Sequence, residues 1–142
     1  MVEVVVDATS LSRSPSGSIT GRICLRGLAG DFPDAQWSDF PVVVLSWWIE
    51  GLARIATGQG RSFTGLFMDG PFSFTVRLVS GSVAELLWGA RGHLATVGQV
   101  EVRSLLVSAA AAGAAVVKVC RTNGWSNRDV QALEQALATA AA

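Results

Sequence analysis

The sequence predicts an α+β fold: a mainly antiparallel sheet of about five strands with helices packed on one face, in the order β-β-α-β-β-β-α-α. Three observations predict it. Strand-like runs come in neighbouring pairs joined by turn residues, not as βαβ units. Helical periodicity is confined to residues 41–57 and to the stretch from Arg103 onward. Half of the 142 residues are apolar, enough for a single packed domain spanning 1–142.

Val2–Asp7 is rich in β-branched residues and predicts the first strand. Residues 10–18, SLSRSPSGS, form a polar Ser/Pro/Gly loop. Ile19–Arg26 alternates: Ile19, Ile23 and Leu25 face one side, Thr20, Arg22, Cys24 and Arg26 the other. Residues 28–40 are expected to be a loop. A helix then runs over 41–57, with Pro41 in its first turn and Asp39 as N-cap or first-turn acid. Leu45, Trp48, Ile49, Leu52, Ile55 and Ala56 share its apolar face, and Ser46, Glu50, Arg54 and Thr57 the opposite one. Glu50 precedes Arg54 by one turn, the favourable order for an ion pair. Trp47 falls about 130° from the apolar centre by the 3.6-residue repeat. Trp48 is therefore expected inside and Trp47 near the rim. Gly58 ends the helix.

Ser62–Met68 and Phe72–Leu78 read as strands joined by Met68-Asp69-Gly70-Pro71, with Asp-Gly as the hairpin signal. Phe72, Phe74, Val76 and Leu78 point inward. Ser80-Gly81 turns the chain into a fifth strand over Val83–Trp88, while residues 90–100 carry no clear pattern. Arg103–Arg121 is an alanine-rich helix, expected to be central and buried. Asn123-Gly124 closes it, and Ser126 with Asp129 resembles a capping box. The last helix places Val130, Leu133 and Leu137 inward.

The functional signal lies between Asp31 and Asp69. From Leu28 to Glu50 there are four carboxylates (Asp31, Asp34, Asp39, Glu50) and no Lys or Arg. Phe32, Trp37, Phe40, Trp47 and Trp48 share that stretch. Phe and Trp are mostly core residues, so part of this set is structural. A mixed acid–aromatic surface suits gripping another protein and is a poor start for nucleic acid. Eleven Lys and Arg are scattered and matched by eleven acids, so nucleic acid is not expected as a partner. Zero net charge also favours self-association, such as a homodimer.

Catalytic signatures are lacking. His93 is the only histidine, and its GARGHLATVG setting lacks the strand–GxGxxG–helix and GK[ST] phosphate patterns. Cys24 and Cys120 are far apart in sequence, with no Cys-x-x-Cys. Cys24 shares a strand face with Arg22 and Arg26, and two cations can lower a thiol's pKa, but without a basic partner and a pocket it reads as an inert, half-buried thiol. No metal site, cofactor or enzymatic activity is expected. The N-terminal run starts with an acid and not a basic segment, so it reads as a strand and not a signal peptide. The charge-free run Ser104–Val117 has 14 residues, short of the roughly 20 that span a bilayer. A cytoplasmic protein without a membrane segment is expected.

The string WSDFPVVVLSWWIEGLARIATG, then LFMDGPFSFTVRL, then AAVVKVCRTNGWSNRDVQALEQAL, resembles small bacterial immunity proteins of polymorphic or contact-dependent toxin systems. The matching features are Trp37, Asp39, Trp47, Trp48, the Phe67–Pro71 turn, and Gly124-Trp125-Ser126 before Asp129. The resemblance implies a binder that occludes a cognate toxin. Such proteins share no functional residues, so none is carried over. The residues themselves nominate Asp31, Asp34, Trp37, Trp47 and Glu50 as the partner-binding set, acids for complementarity and tryptophans as anchors. A homo-oligomeric accessory protein and a non-catalytic small-molecule binder, with a pocket near His93, are the alternatives.

Overall fold

The computed structural model describes residues 2–141. The fold is α+β, but the described residues form nine strands in two antiparallel sheets in place of about five in one.

The first sheet is organised by one long strand. β1 (Glu3–Val6), β2 (Ser12–Arg13), β4 (Gly30–Phe32) and β5 (Ser38–Asp39) all pair with β3 (Ile19–Gly27). Leu25 pairs with both Val4 and Phe32, so β1 and β4 lie on opposite edges of β3. Two of the stretches read as loops from sequence, 10–18 and 28–40, therefore contain strand. Their pieces are two or three residues long, too short to show a period-2 pattern.

The second sheet is the expected meander, extended by one strand. β6 (Ser62–Leu66), β7 (Phe72–Ser80), β8 (Val83–Ala90) and β9 (His93–Glu101) lie in sequence order. The unassigned stretch 90–100 is thus mostly β9. Arg91 and Gly92 form the connecting turn, with φ of 54° and 78°. Positive φ at both central positions is the hairpin geometry that matches strand twist, and it normally selects Asn-Gly. Arg91 hides that signal. Gly98 and a register shift beside Leu86/Leu87 break the alternation further. Arg91 is the one non-glycine residue with positive φ among the described residues. Arg91→Asn should therefore raise stability by about 0.5–1 kcal/mol, read as a higher denaturation midpoint, because Asn tolerates that conformation better.

α1 (Pro41–Ala56) is the central helix. It touches the first sheet at β3 and the second at β6, and packs on both other helices. Leu45, Trp48, Ile49, Leu52 and Ile55 are buried, as its periodicity predicts. Ser46, placed on the polar face by that reading, is buried too and donates to the Val43 carbonyl at 2.7 Å. The ion pair expected between Glu50 and Arg54 does not form. Gly58, at φ 80°, closes the helix: Gly58 N–H reaches Ile55 O and Gln59 N–H reaches Arg54 O. Gly51 is required by close approach, because a Cβ there would sit 2.0 Å from the Phe63 ring of β6.

α2 (Val102–Thr122) is not the buried central helix expected from its alanines. One face packs on α1, α3 and β1, while Val107 is 67% exposed on the other. Alanine permits both situations equally, so composition alone could not assign the face. The helix is also longer than its charge-free run. At 21 residues and mean hydropathy 1.6 it has the length and composition to cross a membrane, though 44% of that window is buried in the fold. Glu101 caps its start, accepting from the Ser104 and Arg103 amides, and these bonds hold the Glu101 carboxyl below its ordinary pKa. Asn123-Gly124 ends it as expected, with Trp125 N–H bonded to Cys120 O at 2.8 Å. α3 (Arg128–Ala141) lies against α1 and α2. Its cap is Asn127, whose side chain accepts from Val130 N–H, and not Ser126.

Candidate functional site

The segment from Asp31 to Asp69 separates into a buried half and an exposed half. The buried half is a clamp built on Asp39. This residue is 1% exposed, and its carboxylate accepts four hydrogen bonds. Oδ1 takes the amides of Phe40 at 2.7 Å and Met68 at 3.0 Å. Oδ2 takes Trp37 Nε1 at 2.9 Å and the Asp69 amide at 3.1 Å. Asp39 is not the N-cap of α1, since that position is Phe40 and has no side-chain cap bond. Its role is to tie the β6–β7 turn to the entrance of α1. Four donors replace the water that a buried carboxylate loses.

Aromatic rings fill the space around this clamp. Phe32 of β4 stacks on Trp88 of β8, centroids 4.8 Å apart and planes 5° from parallel. Phe32 also meets Phe67 and Phe72 edge-on, which joins the two sheets. Trp37 stands edge-on to Phe72 at 5.1 Å. Gly70, at φ 129°, is where the turn passes beneath Trp37; a Cβ there would come within 3.0 Å of its ring. Trp48 is fully buried between Phe67 and Phe74, and its Nε1 donates to Leu66 O at 3.0 Å.

The exposed half lies alongside. Trp47 is 41% exposed, Met68 47% and Leu66 51%. Met68 borders a shallow groove with Phe40, Val42 and Val43, and Trp47 follows Val43 by one helical turn. Asp34 and Asp69 are exposed, and Glu50 is exposed about one helical turn beyond Trp47. Among the described residues, Asp34, Glu50 and Asp69 make no ion pair within 4.0 Å.

The five nominated residues therefore have different surroundings. Asp31 is tied to Arg26 Nε at 2.8 Å. Asp34 turns back on its own loop, accepting from the Gln36 amide at 2.7 Å. Trp37 is half-buried and held by Asp39. Trp47 and Glu50 project from α1 into solvent. Met68 and Leu66 were not nominated. The inward alternation of Phe63, Gly65 and Phe67 carries the signal for Leu66, because it turns Leu66 outward.

Cys24 is buried more deeply than the half-buried, inert thiol expected. It is 3% exposed, and burial pushes its thiol pKa up; Asp31 adds to the rise and Arg26 only partly opposes it. Arg26 offsets little of the burial effect because its guanidinium is paired with Asp31. His93 is exposed at the start of β9. A groove of about 340 Å³ lies elsewhere, where the three helices meet. Among the described residues, no three His, Cys, Asp or Glu side chains gather as a metal site would require.

No family model, no curated protein and no solved structure matches this chain.

Proposed function

We propose that the chain is an immunity-type protein of the cytoplasm, which binds a toxic protein partner and occludes it. The observation that carries this reading is that Trp47, Met68 and Leu66 of one segment are large apolar side chains left exposed, while Asp34, Glu50 and Asp69 of the same segment make no ion pair among the described residues. Large apolar side chains grouped on a surface mark an interaction site more often than scattered ones do. A tryptophan ringed by polar groups is the usual form of a binding anchor. Asp34, Glu50 and Asp69 supply complementarity to a basic cleft and speed the encounter with it. Asp31 contributes less, because Arg26 already answers its charge. Trp37 contributes by holding the turn under Met68 and Asp69 in place.

Asp34→Lys tests the charge component. It should slow association with the partner by about tenfold at low salt, with little change in dissociation. Surface plasmon resonance at two ionic strengths reads this directly. An association rate equal to that of the unaltered chain removes Asp34 from the interface.

A further inference from the structure

We propose that the groove at the three-helix junction is a binding site for an amphipathic carboxylate, of the medium-chain fatty-acid class. It encloses about 340 Å³ between the C-terminal half of α1, the start of α2 and the end of α3. That volume lies at the lower end of the range for small-ligand sites. Its apolar lining is Ala53, Ala56, Leu106, Ala136 and Ala140. The small side chains leave room for a single alkyl chain along the groove.

The charged rim consists of Arg54, Arg103 and Glu50, two cations against one carboxylate. Neither guanidinium has an acid within 4.0 Å among the described residues. Arg54 does not pair with Glu50 although the two are one helical turn apart. Arg103 donates to the Ala56 carbonyl at 3.1 Å, which holds it across the end of α1 and leaves its remaining donors available. Gln59, Gln135, Thr57 and Thr139 complete a polar border. An alanine-lined groove whose two guanidinium groups outnumber its one carboxylate, and form no ion pair among the described residues, matches a ligand with one anionic head and one apolar tail. An uncharged alcohol of equal length would forfeit the head-group contacts. A dianionic or purely polar ligand would leave the alanine floor unused. This site shares Glu50 with the proposed partner surface and none of its other residues, so the two are tested apart.

The probe is decanoate below its micelle threshold, titrated into the isotopically labelled full chain and followed by NMR. Saturable shifts are expected at Leu106, Gln135 and Thr139, with decanol binding about tenfold weaker, a difference of about 1.4 kcal/mol. Arg54→Gln, which removes a side chain with no acid partner, should weaken decanoate by a similar factor and leave decanol unchanged. Ala140→Leu should block both ligands by filling the channel, with Arg54→Gln as the control that keeps the native groove. No saturable binding, shifts centred elsewhere, equal affinity for decanol and decanoate, or insensitivity to Arg54→Gln would each overturn the proposal.

Discussion

Asp39→Ala should lower the unfolding free energy by about 3–5 kcal/mol, the range for breaking a buried charged network from one side. The carboxylate accepts from three backbone amides and the Trp37 indole, and alanine leaves all four donors without a partner. Asp39→Asn preserves volume but turns an NH2 group toward donors that need an acceptor, so it should recover only part of the loss. The released turn carries Met68 and Asp69, and both should gain amide hydrogen exchange ahead of the core strands. Chemical denaturation with exchange mass spectrometry measures the two effects together. A loss below about 1 kcal/mol would mean that the four bonds do not act as a clamp.

Trp48→Ala should cost a similar 3–5 kcal/mol, as for other large buried aromatics, and lower the melting temperature by roughly 10–15 °C. Trp48 has no exposed surface and packs edge-on to Phe67 and Phe74, with centroids 5.0 Å away in each case. It also satisfies Leu66 O, so Trp48→Phe should still cost about 1–3 kcal/mol although most of the ring area is kept. The neighbouring Trp47→Ala should change stability by no more than about 0.5–1 kcal/mol, because its ring is already 41% exposed. Two adjacent tryptophans with such unequal effects separate the folding role of this segment from its binding role. Equal melting shifts for the two substitutions would contradict that separation.

The sequence was most legible where one periodicity ran long enough. The α1 face, the Phe72–Leu78 alternation and the Asp-Gly turn come out as read, since each repeats a 3.6- or 2-residue period or fixes a turn geometry. It was least legible in the short strands β2, β4 and β5, which owe their existence to the long β3 beside them. β9 was missed because Arg91 occupies a turn position that favours Asn, and Gly98 interrupts the strand. At the candidate site, the difference between Trp47 and Trp48 was readable from helical angle alone. The position of Asp39 was not, because its partners Met68 and Asp69 are 29 and 30 residues away in the chain. The pairing of Asp31 with Arg26 was equally hidden, as it follows from the β3–β4 register.

If the Trp47–Met68 surface holds a toxic partner, co-expressing the chain with the product of its adjacent reading frame will reveal it through growth and complex formation scored together. The unaltered chain should restore growth and co-purify with that product at fixed stoichiometry. Trp47→Ala should lose both while keeping its melting temperature within about 3 °C of the parent. A neighbouring product that is harmless or does not co-purify would rule this role out, as would full protection by the Trp47→Ala chain.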